Sequence, residues 1–306
     1  MDLELRPFGL KLKNRFRDLD VRTGLLVGSG GRWAEFSPFA DYPKQLRERW
    51  ARATLEALDE PWPAPVRNKV PVNVTVPAVA PELAHRIVRE SRCGTAKVKV
   101  GDEGDEARVE AVRDALGASG RLRVDVNGRW DVDGAARMLS SLRRYDLEYA
   151  EQPVPTLDEM RSLRRRIDVP LAVDESLRTA ADPLAVDITD AADVAVLKVA
   201  PLGGVRATID LAERLAVPIV ISSALESSVG LAAGIACAAA IEDLRYACGL
   251  ATAALFADDL VTEPFLPVDG AIEVRRPLVD EALLQRHALE GPEADRLRTW
   301  FQEATR

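Results

Sequence analysis

Cysteine is scarce and irregularly placed. Cys93, Cys237 and Cys248 are three in number, far apart and without a Cys-x-x-Cys pair, so neither a disulfide framework nor a zinc cluster is indicated. An excess of basic charge is also missing: 41 Lys and Arg stand against 49 Asp and Glu, a formal net charge of −8. That removes the clustered cationic footprint which nucleic acid or an anionic lipid surface needs, and an anionic substrate would have to be met by local cations. No strongly apolar run reaches membrane-spanning length, and the opening MDLELRPFGLKLKNRFRDLD holds no apolar segment of signal-peptide length. The most apolar stretch, Leu231 to Ile241, is Ala-rich and reads as a buried helix. The two histidines, His85 and His287, fall in helical, Arg-bearing segments and read as surface residues. These absences point to a reduced, cytoplasmic protein with no nucleic acid, no membrane and no obligate protein partner; a small-molecule carboxylate substrate is the expectation of its strand-end acids and lysines.

What is present is a regular alternation. The 306 residues, 47% hydrophobic and 29% charged, suit a chain that buries one large core. From about residue 70, short β-branched runs alternate with longer amphipathic segments, the mark of repeated βα units. Eight strands are expected: Val72 to Pro77, Ala96 to Gly101, Leu122 to Asn127, Glu148 to Pro153, Leu171 to Ser176, Val194 to Val199, Pro218 to Ser223 and Tyr246 to Thr252. The fold class is therefore α/β, a (β/α)8 TIM-like barrel with a small α+β capping domain, and an open doubly wound sheet is the second choice. The expected division is 1–70 for the cap, 71–265 for the barrel and active site, and 266–306 for a C-terminal segment returning to the cap. In the cap, Arg22 to Val27 and Trp33 to Ser37 read as hairpin strands and Pro43 to Leu58 as a helix. The turn Gly24 to Gly31 is the candidate for closing over a substrate.

Polar residues interrupt the strand ends at one level. From Lys99 the steps to Asp125, Glu151, Asp174, Lys198 and Ser223 are 26, 26, 23, 24 and 25 residues, one βα unit each. At the C-terminal mouth of a barrel these side chains would face one another. Three acids on consecutive strands, Asp125, Glu151 and Asp174, offer oxygen ligands to a hard cation such as Mg2+, and no His or Cys joins them to favour zinc. Lysines flank the arc, and strand alternation puts Lys97 with Lys99 and Asp125 with Asn127 on shared faces. A carboxylic acid gives up its α-proton only if the resulting enediolate charge is stabilised, which a metal does, and if a base is at hand. Crowding Lys97, Lys99, Lys198 and a cation together would lower a lysine's proton affinity enough to make that base. Lys97 could instead shield the substrate carboxylate or pair with Glu151. Gly203 and Gly204 read as a loop leading into a helix rather than a phosphate cradle.

The motifs Ala96-Lys97-Val98-Lys99-Val100, Val124-Asp125-Val126-Asn127-Gly128, Tyr149-Ala150-Glu151-Gln152-Pro153, Val173-Asp174-Glu175-Ser176 and Leu197-Lys198-Val199 through Gly204 resemble the enolase superfamily, in its muconate lactonizing enzyme-like subgroup. The resemblance implies Asp125, Glu151 and Asp174 as metal ligands for Mg2+ or Mn2+, Lys99 as general base, and Lys198 as a cation on the opposite substrate face. It also implies a monomer. The segments Gly31 to Tyr42, Pro71 to Pro77 and Ser222 to Ser228 look like o-succinylbenzoate synthases of the actinobacterial type. That likeness implies a hydro-lyase of menaquinone biosynthesis, dehydrating 2-succinyl-6-hydroxy-2,4-cyclohexadiene-1-carboxylate to 2-succinylbenzoate. Asn127, Ser222, Ser223, Gly249 and Leu250 are the expected substrate contacts.

Two positions depart from the subgroup's pattern. Cys248 to Thr252 carries no acid where dipeptide epimerases hold an ammonium, which disfavours epimerisation, and Arg32 and Ala34 stand where smaller residues are expected in the cap turn. The nearest alternative is an N-succinylamino acid racemase using Lys99 and Lys198 on opposite faces. A Schiff-base aldolase on Lys198 would leave the three acids without a role. A non-enzymatic barrel that binds a carboxylate is the remaining alternative.

Overall fold

The computed structural model describes residues 3–59 and 61–306; Met1, Asp2 and Glu60, which belong to the expected cap segment, lie outside them. The cap opens with three antiparallel strands, β1 (Glu4–Phe16), β2 (Leu19–Ser29) and β3 (Arg32–Phe36), followed by helix α1 (Lys44–Asp59). β1 has no counterpart among the strands expected from sequence, although Phe8, Leu10 and Leu12 alternate into the core while Lys11 and Lys13 do not.

A short β4 (Lys69–Pro71) leads into the barrel. Its units are β5 (Val74–Val76) and α2 (Pro81–Ser91), β6 (Thr95–Lys99) and α3 (Asp105–Leu116), β7 (Arg121–Asp125) and α4 (Val132–Leu142), β8 (Leu147–Glu151) and α5 (Leu157–Arg164). They continue with β9 (Leu171–Val173) and the one-turn α6 (Glu175–Arg178), β10 (Val194–Lys198) with α7 (Val199–Leu202) and α8 (Val205–Arg214), and β11 (Ile219–Ser222) with α9 (Ser228–Ala240). β5 to β11 form one parallel sheet in sequence order.

The eighth staff of the barrel is shorter than the expected Tyr246 to Thr252. Only Cys248, paired with Val72, and Gly249, paired with Ser222, bridge the two ends of the sheet, and Ala251–Leu255 then winds into a 3-10 turn. The main chain still closes the ring: Cys248 N donates to Pro71 O, Asn73 N to Cys248 O and Gly249 N to Ile221 O. Gly249 is required here, because a Cβ would meet Ser222 Oγ at 2.4 Å.

Each barrel strand has two chemically different faces. Outward residues such as Ala96, Val98, Leu122, Val124 and Leu197 join a large apolar core with the surrounding helices. Inward ones build a small plug of Tyr149, Ala172, Val194, Val196 and Val220 against Tyr246, over which the polar residues of the mouth sit. Arg123, fully buried in the floor, stacks on Tyr149 and donates to Glu148, Asn73 and Ala247. α9 is apolar all round, as its Ala-rich sequence requires, because it is wedged between barrel and cap.

The C-terminal segment adds β12 (Ala271–Glu273), which pairs antiparallel with β4, then α10 (Glu281–Arg286) and α11 (Pro292–Ala304). α11 packs on α1 and β1, with Phe301 edge-on to Phe36 at 5.2 Å. Barrel loop residues Leu225, Leu255 and Phe256 complete the cap's core, so cap and barrel share apolar contacts. Among the described residues no helix is long and apolar enough to cross a membrane.

Candidate active site

The parallel register sets the site. Lys99 is paired with Asp125 and Asp125 with Glu151 in adjacent strands, so three side chains of one level meet without any loop having to place them. Lys198 ends β10 and Asp174 follows β9. Counting round the ring, β6 and β10 stand four strands apart, so Lys99 and Lys198 approach from opposite walls with the three acids between them.

Every acid carries a cation. Lys99 Nζ donates to Asp125 Oδ2 at 2.6 Å and to Asn127 Oδ1 at 2.5 Å; Lys97 Nζ meets both Glu151 oxygens, at 2.9 and 2.7 Å. Lys198 Nζ donates to Asp174 Oδ2 at 2.6 Å, and the other oxygen of Asp174 accepts from Arg178 Nε at 2.7 Å. Asp125, Glu151 and Asp174 are almost wholly removed from solvent. Lys97, Lys99, Lys198 and Arg178 thus face Asp125, Glu151, Asp174 and Glu175, four charges against four. Unpaired, any one of them would be costly at this depth.

Lys97 and Lys99 share a face and have opposite proton affinities. For Lys99, burial dominates and lowers the pKa against the pull of Asp125, with Lys97 and Arg17 adding repulsion. For Lys97 burial acts the same way, but Asp125 and Glu151 outweigh it and raise the pKa. Burial also pushes Asp125 and Asp174 upward, yet the lysines around Asp125 and the Arg178–Lys198 pair around Asp174 hold both well below the usual carboxylate range. Glu151 is pushed up to about 7 by burial and then by Asp125, against the opposing pull of Lys97, which contacts both its oxygens.

Backbone strain gathers just past the acids. Asn127 and Gln152 occupy the left-handed region at φ 53° and 39°. The turn at Asn127 brings its N–H back to Asp125 Oδ1, and Gln152 Oε1 accepts from the N–H groups of Asp174 and Ser176, fastening the end of β8 to that of β9.

A cavity of about 30 Å³ remains over the lysines. Lys97, Lys99, Asp125, Asn127, Lys198, Ser222, Ser223 and Gly249 line it, while Glu151 and Asp174 are sealed below. Leu250 lies outside this group. Strand alternation turns it away from Gly249's side, and it packs beside Gly234 in the wall of a different cavity. Nor does the expected closing turn, Gly24 to Gly31, reach the lysines. The hairpin between β1 and β2 does so, with Phe16 5.3 Å from Lys99 Nζ and Arg17 also in the wall.

Other contacts had no individual signal. Arg178, buried one turn after Asp174, reaches Glu175 at 2.6 Å and also donates to the Tyr42 hydroxyl of the cap. Its spacing of four from Asp174 is visible locally; its partner 136 residues earlier is not. Gly203 and Gly204 lead into α8, whose first N–H groups are taken by Glu56 of α1, leaving no room for a phosphate there. His85 is exposed beside Asp114, whereas His287 is largely buried and contacts Asp258 at 2.9 Å.

The chain matches the Enolase N-terminal domain-like family over residues 8–58 and the Enolase C-terminal domain-like family over 80–277. It is 57% identical over 284 residues to an o-succinylbenzoate synthase of Thermobifida fusca, covering 91% of this chain and 90% of that one. The chain belongs to the o-succinylbenzoate synthase family of the enolase superfamily. A second synthase of the family, from Mycolicibacterium smegmatis, is 46% identical over 299 residues, covering 95% and 91% of the two chains. In fold the chain is similar to the muconate lactonizing enzyme of Pseudomonas putida, with a TM-score of 0.77, 21% identity and 94% and 99% coverage. The L-Ala-D/L-Glu epimerase of Bacillus subtilis superposes with a TM-score of 0.79 at 19% identity, covering 91% and 97%.

Enzymes of this superfamily use a divalent metal. Among the described residues no three His, Cys, Asp or Glu side chains are drawn together closely enough to enclose an ion, since each acid is turned to its lysine. The donor set fits a hard cation nonetheless: three buried carboxylates on consecutive strands, with no nitrogen or sulfur ligand among them.

Proposed function

We propose that this chain converts 2-succinyl-6-hydroxy-2,4-cyclohexadiene-1-carboxylate to 2-succinylbenzoate by syn dehydration, with Mg2+ as its ion. The observation that carries the reading is Lys99: buried, lowered in proton affinity, and standing across the ring from a second lysine with three acids between. Asp125, Glu151 and Asp174 would hold the ion, whose charge stabilises the substrate carboxylate as the neighbouring proton leaves, by on the order of several kcal/mol.

Lys99 Nζ, fixed between Asp125 and Asn127, takes the α-proton in its neutral form. Lys198, held by Asp174, stands on the other face and opposes the negative charge that grows there, as donors aimed at developing charge do. The C–O bond to the leaving hydroxyl then breaks, Lys99 returns its proton to that oxygen, water departs and the ring becomes aromatic. Lys97 moves no proton in this scheme; it holds both Glu151 oxygens beneath the site. Phe16 and Phe39 in the wall limit entry of water, which strengthens each of these interactions.

The test is the ultraviolet spectrum of the protein mixed with the diene, with Mg2+ and then with EDTA. Loss of diene absorbance with metal alone is the expected outcome. An unchanged spectrum in both conditions would remove the synthase reading.

A further inference from the structure

A second hollow opens beside the barrel mouth, away from the lysines. A cavity of about 260 Å³ lies between β3, the C-terminal half of α1, the start of α9 and the segment after β12. Its walls are chiefly apolar, including Trp33, Val199, Val229 and Leu250. Its inner end reaches Ser222 and Ser223, which it shares with the lysine cavity. Two carboxylates in that inner wall are already satisfied: Glu35 accepts from Ser37, Ser227 and Gly230, and Glu226 from Ser223 and Ala224.

At the other end stand Arg32, Arg276 and Trp62. The Arg276 guanidinium lies 3.7 Å over the Trp62 ring, and burial followed by the charge of Arg32 lowers its pKa. Each arginine donates one N–H to a terminal carbonyl of α1, Arg32 to Leu58 O and Arg276 to Ala57 O. Among the described residues neither has a carboxylate partner. The Trp62 indole N–H is shielded from solvent and has no acceptor. Two neighbouring guanidiniums in a chain of net charge −8, left without an acid beside an apolar hollow and a free indole N–H, form an incomplete set.

We propose that this cavity is a second ligand site, taking a small carboxylate with an apolar body whose carboxylate sits on Arg32 and Arg276 beside the Trp62 ring. The body fills the apolar part lined by Trp33, Val199, Val229 and Leu250, short of the two satisfied glutamates in the inner wall. The catalytic lysines line the other cavity.

The test follows the indole N–H signal of Trp62, assigned with Trp62→Phe, by nuclear magnetic resonance during titration of the full chain with 2-succinylbenzoate, benzoate and inorganic phosphate. Only the choice of the first probe rests on the reaction proposed above, and the readout needs no turnover. A saturable shift with both carboxylates is expected, at least about tenfold weaker in Arg32→Gln/Arg276→Gln and intermediate in Arg276→Gln alone. Shifts that persist unchanged in the double variant, or a Trp62 signal that none of the probes moves, would overturn the site. An equal response to phosphate would overturn the apolar-body part of the assignment. The unchanged melting temperature expected of the double variant separates loss of binding from loss of fold.

Discussion

The two cavities beside the barrel mouth are built on opposite electrostatic rules. Around and beneath the space of about 30 Å³ over the lysines, four cations and four acids cancel in pairs, of which Lys97, Lys99, Lys198 and Asp125 line it, and the cations hold their partners at 2.6 to 2.9 Å. In the outer cavity, of about 260 Å³, two guanidiniums stand at one end with no carboxylate partner among the described residues, while Glu35 and Glu226 lie satisfied in the inner wall. The first is a closed circuit in which each charge tunes its neighbour's proton affinity; the second is an open one that a ligand has to complete. Compensated charge serves chemistry, because a base has to be poised, whereas uncompensated charge serves capture.

Substitutions on the two sides sharpen this contrast. Lys99→Ala removes the base and, if the contrast holds, lowers turnover of the diene by on the order of 10³-fold. Arg32→Gln/Arg276→Gln changes turnover by less than about threefold in the same assay, within the range of surface changes. A tenfold or greater loss from the arginine pair would merge the two cavities into one catalytic site.

Arg178→Met tests whether the closed circuit reaches the cap. It leaves Asp174 with Lys198 alone, and we expect kcat to fall and Mg2+ affinity, read by calorimetry, to weaken by roughly 10- to 100-fold, as for other residues that orient a ligand. Unaltered metal affinity would reduce Arg178 to a packing role.

Glu35, in the inner wall of the outer cavity, gives a pH signature. Burial, reinforced by Glu226, pushes its carboxyl from 4.5 up to about 7 against the hydrogen bonds of Ser227 and Ser37. The folded chain therefore keeps a proton that the unfolded chain releases. Its contribution is fully present below the unfolded value and is lost as pH rises through about 7. Melting temperature should fall across that window by the equivalent of up to about 3 kcal/mol, and Glu35→Gln should flatten the slope whatever it does to absolute stability. A wild-type profile already flat there would mean that the serine hydroxyls keep Glu35 ionised throughout.

The smallest effect is expected of Tyr42→Phe, which deletes one hydroxyl acceptor of Arg178. A stability loss of about 1 kcal/mol by chemical denaturation and a turnover change within a few-fold are expected. A larger loss of turnover than of stability would show the cap placing Asp174 through this one contact.

The fold was legible because its signals repeat. A βα unit recurs about every 25 residues, and the inward polar residue of each strand end marks the same level, so Lys99, Asp125, Glu151, Asp174 and Lys198 could be ordered round a ring before any coordinate was known. β1 escaped because its alternation, Phe8, Leu10, Leu12, is interrupted by Pro7 and Gly9 and mixed with Lys and Arg. The cavity that Leu250 lines is not legible in the sequence for a related reason: with the eighth strand reduced to two bridged residues, which neighbour faces inward depends on the close approach at Gly249.

By itself the sequence determined the ring of acids and lysines, the barrel that carries it and the family to which the chain belongs. Periodicity and strand alternation act within a few residues and leave their trace in local spacing. The tertiary structure alone decided that Phe16 and Arg17 overhang the base, that Arg178 ties Asp174 to Tyr42, and that Arg276 lies over Trp62 within reach of the charge of Arg32. Those contacts join residues scores to hundreds of positions apart, and they exist only because the apolar faces of cap and barrel, once packed, bring them together.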